Sequence, residues 1–182
     1  MKNGIISGNF RLIVLISALT FTGSAIGQTT KDSKIIADSK EAKAAFIRAD
    51  GQMNGLFANA YGYAIFPNVG KGGAGIGGAA GNGTVFSKGV VIGKAKLTQV
   101  SIGFQWGGQA YREVILFETK ADLDRFEQNK IEFSGQASAV AATAGASANV
   151  KYANGVMIFT QTKGGLMYEA SIGGQKFKYT SF

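Results

Sequence analysis

The sequence has no cysteine and no histidine, only one proline, and not one acidic residue between Gly51 and Arg112. Each absence closes a class of function. Without cysteine no disulfide can staple the chain in any compartment, so stability has to come from packing and backbone pairing. Without histidine or cysteine, the Ser–His and Cys–His nucleophile pairs and the usual zinc sites are gone. The carboxylates do not compensate. Asp122 and Asp124 sit two apart on an expected helix and point to different faces, and no second acidic cluster suits glycoside hydrolysis or a hard metal. A Ser–Lys pair is allowed by composition, but no motif marks one. The sequence predicts no enzyme, no metal site and no cofactor.

What is present begins with an export signal. Lys2 and Arg11 bracket a basic start, Leu12 to Phe21 form an apolar run, and Ala25-Ile26-Gly27 supplies small residues where a signal peptidase reads. This predicts a secretory signal peptide over residues 1–27. The run is too short for a transmembrane helix, which needs about 20 apolar residues. The protein is therefore expected to be exported, in the periplasm or outside the cell, and peripheral to a membrane where it meets one. When Lys2 and Arg11 leave, the formal charge falls from +8 to +6.

Residues 28–37 read as a flexible N-terminus and residues 38–182 as one domain. Asp38 followed by Glu41 resembles a capping box, and Phe46, Ala49, Met53, Leu56 or Phe57, and Ala60 recur at helical spacing. Gly51 and Gly55 predict a kink there, or two shorter helices. Tyr63 to Phe66 reads as a strand stopped by Pro67-Asn68, and Gly72 to Ala80 as another. Further strands follow, joined by glycine turns, including an Asn154-Gly155 hairpin. Thr119 with Asp122 caps one internal helix that turns Leu123 and Phe126 inward. Ser138 to Ala148 fits strand or helix equally. The expected class is α+β: a glycine-rich antiparallel sheet, open or closed into a barrel-like form, with an N-terminal amphipathic helix and one internal helix.

Gly73, Gly75 and Gly78 spell G-x-G-x-x-G, the nominal fingerprint of a dinucleotide loop. The helix that must follow is missing, because Gly78-Ala79-Ala80-Gly81-Asn82-Gly83 would be a very poor helix start. Lys94 and Lys96 stand where the ribose-binding acid belongs. Read as strand, the stretch has one face almost bare of side chains, on which a ring such as Phe104 or Trp106 could rest. The sequence predicts binding to neither nucleotide nor nucleic acid.

Three ordered stretches carry a resemblance: LFANAYGYAIFPNVGKGGAGIGG (Leu56 to Gly78), VSIGFQWGGQAYREVILFET (Val100 to Thr119) and TKGGLMYEASIGGQKFKY (Thr162 to Tyr179). Together they resemble the SYLF family of lipid-binding domains across the whole mature chain. The resemblance implies binding to membrane lipids; eukaryotic members bind phosphoinositides and some bind actin. Export makes actin an implausible partner here, and Ala141 to Ala148 lacks the proline of the family's alanine-rich segment. Phosphoinositide specificity is therefore not carried over.

The residues themselves suggest how lipid would be held. Lys94, Lys96, Thr98 and Val100 share one strand face with Phe104 and Trp106, and Lys176 and Lys178 share a face near the C-terminus. Lys88, Lys94, Lys96, Arg112, Lys176, Lys178 and Trp106 are the candidate contacts with anionic phospholipids or other envelope lipids. Against this, Trp106 reads as core and the lysines as charges that solvate sheet edges. Two other classes remain: a self-associating structural or envelope β protein, and a small outer-membrane barrel ending in Phe182. The barrel would have to accommodate Lys176 and Lys178 on a lipid-facing strand. The sequence leaves the oligomeric state open.

Overall fold

The computed structural model describes residues 23–74, 76–102, 109–133, 138–163 and 169–182. Three α-helices and eight strands follow in the order α1 (Gly23–Ala49), α2 (Met53–Asn59), β1 (Gly62–Ala74), β2 (Ile76–Ser87), β3 (Val90–Ile102), β4 (Gln109–Phe117), α3 (Lys120–Glu127), β5 (Ser138–Ala141), β6 (Val156–Thr162), β7 (Glu169–Ser171) and β8 (Gln175–Ser181). The strands form one sheet in the order β7-β5-β6-β4-β1-β2-β3-β8. Every pairing is antiparallel except β5 with β6. The fold is α+β, as expected from the sequence.

β7 and β8 are the two outermost strands, yet only Ile172, Gly173 and Gly174 join them. Laid flat, eight strands would span roughly 34 Å at about 4.8 Å per strand. Three linking residues reach less than half of that, at roughly 3.6 Å per residue. The sheet must therefore curl until its edges approach. Contacts across the concave side agree: the Phe66 ring of β1 lies 5.8 Å from Phe177 of β8, although β2 and β3 stand between them in the ladder. The curl does not close. Among the described residues no pairing joins β7 to β8, so the sheet is an open roll rather than a barrel.

The roll has two apolar layers. Its concave interior holds Phe66, Val69, Leu97, Ile115, Phe117 and Phe177, closed from below by Leu123 and Phe126 of α3. Thr119 caps α3 in a full capping box with Asp122, as the sequence predicted. The convex face of β1, β4 and β6 carries Tyr63, Ile65, Val114, Leu116 and Phe159, covered by Phe46 of α1 and by Met53 and Phe57 of α2. A face buried under helices cannot face lipid, so the outer-membrane barrel is not this fold.

Three expectations need correction. The first helix does not begin at Asp38. α1 starts at Gly23, so residues 28–37 are helical and Asp38 is an interior residue paired with Lys34 at 2.6 Å. The sheet supplies what threonine, serine and aspartate withhold as helix formers: Thr84 Oγ1 donates to the Ile35 carbonyl at 3.3 Å, and Ser39 Oγ donates to Thr84 Oγ1 at 3.0 Å. The expected break at Gly51 is real, and it separates α1 from α2.

Next, Pro67 does not end its strand. β1 runs on to Ala74 through a register shift beginning after Ile65, where the missing N–H costs no ladder bond. Gly83 and Gly81 of β2 admit this bulge. A Cβ on Gly83 would run into the Ile65 carbonyl, and one on Gly81 would lie 2.9 Å from the Asn68 carbonyl oxygen.

Last, Gly72 to Ala80 is not one strand but the meeting of two. Gly72 pairs with Gly78, Gly73 with Gly77, and Ala74 with Ile76. No helix follows the G-x-G-x-x-G spacing, and Gly73 and Gly78 pair within the β1–β2 ladder instead of opening a phosphate loop. The alanine-rich segment resolves into β5 and a 3-10 turn at Ala146–Asn149. Phe104 and Trp106, the rings expected to rest on the bare face, lie outside the described residues.

Candidate functional site

The β3–β8 edge brings together lysines from distant parts of the sequence. Alternation along β3 buries Ala95 and Leu97 and exposes Lys96, Thr98 and Val100; along β8 it buries Phe177 and exposes Lys176 and Lys178. The register sets Lys94 opposite Thr180, Lys96 opposite Lys178, and Thr98 opposite Lys176. Four of the seven candidate residues thus share one outward face. Two of them, Lys96 and Lys178, are like charges directly across a ladder, an arrangement that weakens a sheet.

The N-terminal half of α1 lies along this face and makes it a groove. A cavity of about 410 Å³ opens between α1 and strands β2, β3 and β8. Five lysines line it, Lys31, Lys34, Lys94, Lys96 and Lys178, against Asp32 and Asp38. Lys94 is the anchored member: its Nζ bonds Asp32 at 2.8 Å and sits 5.7 Å from the Phe182 ring centre. Lys176 stands beside the groove, 3.7 Å from Glu132. Lys34 bonds Asp38 within its own helix. The sequence offered no sign of Lys31 and Lys34 as contributors, because their segment was expected to be loose.

The remaining candidates lie elsewhere. Lys88 sits in the β2–β3 turn with its Nζ 5.2 Å from the Tyr61 ring centre. Arg112 lies on the helix-covered side of β4 and donates to Gln161 Oε1 at 3.2 Å, and Gln161 in turn donates to the Ala45 carbonyl of α1 at 3.2 Å. Arg112 is tied into packing. Trp106 lies outside the described residues.

One polar group inside the roll escaped the sequence reading. Glu113 is fully buried, with Oε2 accepting from Gln175 Nε2 at 2.9 Å. Its other oxygen has no hydrogen-bond partner among the described residues. Burial pushes its carboxyl up to about 7, only partly offset by the Gln175 bond. The signal was available: Tyr111, Glu113, Ile115 and Phe117 alternate on one strand face, and the acid occupies a core position. Among the described residues, no group of three or more acids is close enough to hold a metal ion.

Residues 98–180 match the family model described as Ysc84, Las17-binding protein actin regulator. The match runs from β3 to β8 and includes two of the three stretches that carried the resemblance. A curated bacterial protein, Beta cell expansion factor A of Aeromonas veronii, is 37% identical over 71 residues, which are 39% of this chain and 27% of that protein. The chain therefore matches only about a quarter of that relative's length. The match to a SYLF-type domain model is confined to residues 98–180, a little under half of the chain.

Proposed function

We propose that this protein is an exported, non-catalytic lipid-binding module that docks on anionic membrane through the β3–β8 face. The observation that supports it most is the convergence of Lys96, Lys176 and Lys178 on one exposed face, with Lys96 and Lys178 directly opposite each other. Such a pair weakens the folded protein unless an anion lies between or above it. Each lysine held near an anionic bilayer contributes about 1 kcal/mol and fades within a Debye length. Three give roughly a hundredfold in affinity, enough for reversible and salt-sensitive attachment. Removal of residues 1–27 would keep Asp32 and Ile35, and with them the wall that α1 forms along the groove.

The test is vesicle co-sedimentation with anionic and neutral lipids at low and high salt. Retention by anionic vesicles alone, abolished by salt, is expected. Replacing Lys96, Lys176 and Lys178 together with glutamate should weaken retention by at least about two orders of magnitude, since reversal adds repulsion to the lost attraction. Lys94 is a poor choice for this test, since it also ties α1 to the sheet. Equal retention on neutral vesicles would refute the reading.

A further inference from the structure

The roll has a second opening, beside β6. β6 pairs with β4 along its whole length, from Val156 to Thr162, but with β5 only at Phe159 and Thr160. Among the described residues, Val156 is bridged by Ala153, and the edge of β6 at Met157 and Ile158 has no named strand paired to it. A cavity of about 590 Å³ opens there, between this edge and the segments around residues 130–133 and 150–154. Its volume falls within the range of pockets that enclose small ligands, roughly 300–1,000 Å³.

The lining runs from apolar to basic. Ile131, Val156, Ile158 and Ile172 belong to the interior layer of the roll, and each is at most 9% exposed. The slot therefore reaches the core of the molecule. Arg125, Lys130 and Lys151 also line it, with Glu132 the one acid among its described residues. Arg125 is spoken for: it bonds Asp122 Oδ1 at 2.8 Å and the Asn154 carbonyl at 2.6 Å. Lys130 and Lys151 are exposed, and neither forms an ion pair among the described residues.

We propose that this slot binds a long-chain fatty acid, its hydrocarbon tail against Ile131, Ile158 and Ile172 and its carboxylate toward Lys130 and Lys151. A neutral apolar ligand would leave the two lysines unused, and a compact anion would leave the apolar depth unfilled. A single-chain amphiphile uses both. The slot shares no lining residue with the basic groove and meets the docking face only through the Lys176–Glu132 pair.

Delipidated full-length protein is titrated with the fluorescent fatty acid parinaric acid, and the probe is then competed with palmitate and with its uncharged alcohol. Saturable fluorescence enhancement is expected, displaced at least tenfold more effectively by palmitate than by the alcohol. Lys130→Glu with Lys151→Glu, both exposed, should weaken binding tenfold or more. Ala153 lines the same cavity and is exposed, so Ala153→Trp should obstruct the mouth and abolish enhancement while circular dichroism stays unchanged. The Lys96→Glu, Lys178→Glu variant, which leaves the Lys176–Glu132 pair intact, should bind parinaric acid like the parent, whatever it does on vesicles. No enhancement with the parent, or enhancement unaffected by both slot variants, would overturn the proposal. Equal displacement by the alcohol would overturn the role of the lysines.

Discussion

Glu113 sets a pH dependence on the fold that can be worked out in sign and size. Its carboxyl is pushed up to about 7, against an ordinary value of 4.5, because the roll shields it from water. The native state therefore holds this proton more tightly than the unfolded chain. Stability from this group is full below the unfolded value and is lost as pH rises through about 7, a change of about 3 kcal/mol. Glu113→Gln should flatten that slope. Urea unfolding should find the variant close to the parent near pH 4 and more stable by about 3 kcal/mol at mildly alkaline pH; parallel pH profiles would count against the assignment. Asp50 behaves in the opposite sense. Burial opposes its charge, but hydrogen bonds from Ser147 Oγ at 2.7 Å and Ser147 N–H at 2.9 Å, with further help from the Gln52 and Gly145 N–H groups, hold its carboxyl below the usual range. Its contribution is present above the ordinary aspartate value and is lost as pH falls through the lower native one. Asp50→Ala strands these donors where the α1–α2 junction meets the 3-10 turn, and should cost about 2–4 kcal/mol in denaturant unfolding at neutral pH. A loss well under 1 kcal/mol would mean that water replaces the carboxylate there.

The β3–β8 ladder separates stability from function in one substitution. Lys178→Glu turns a like-charge pair with Lys96 into an opposite-charge pair, which should stabilise the sheet by about 0.2–1 kcal/mol. The same change should weaken attachment to anionic vesicles. A variant that melts higher yet binds worse identifies the pair as kept for binding; one that melts lower shows that Lys178 has a packing role. The parity of this element was legible in the sequence, since strand alternation alone puts Lys94 and Lys96 on one face and Lys176 and Lys178 on another. That the two faces are one was not legible, because β3 and β8 are distant in the chain and only the register joins them. The same limit hid the groove. Residues 28–37 contain Thr29, Thr30, Asp32 and Ser33, and local propensity reads them as loose, while contacts from Thr84 and Lys94 hold them helical. Pro67 misled for a related reason: a proline ends a strand unless a bulge takes its missing N–H, and the need for glycine at positions 81 and 83 appears only when β2 lies against that bulge.

As a whole, the molecule is an open roll. Helices α1 and α2 cover the convex face of the central strands, while the lysine-bearing edge and the slot beside β6 stay open among the described residues. The overall class, the capped internal helix and the SYLF resemblance over residues 98–180 were all readable from sequence, because each rests on local pattern or on ordered motifs. The curl was not, since it follows from a three-residue link between the outermost strands, and their order in the sheet is a tertiary fact. The charge points the same way at this level, with +8 overall and no acid between Gly51 and Arg112. The central claim is that the protein docks on anionic membrane through Lys96, Lys176 and Lys178, and co-sedimentation with anionic and neutral vesicles at two salt concentrations tests it most directly. The account predicts retention on anionic vesicles at low salt only, reduced at least about a hundredfold when the three lysines are reversed. Retention that ignores lipid charge, or that survives the triple reversal undiminished, would contradict it.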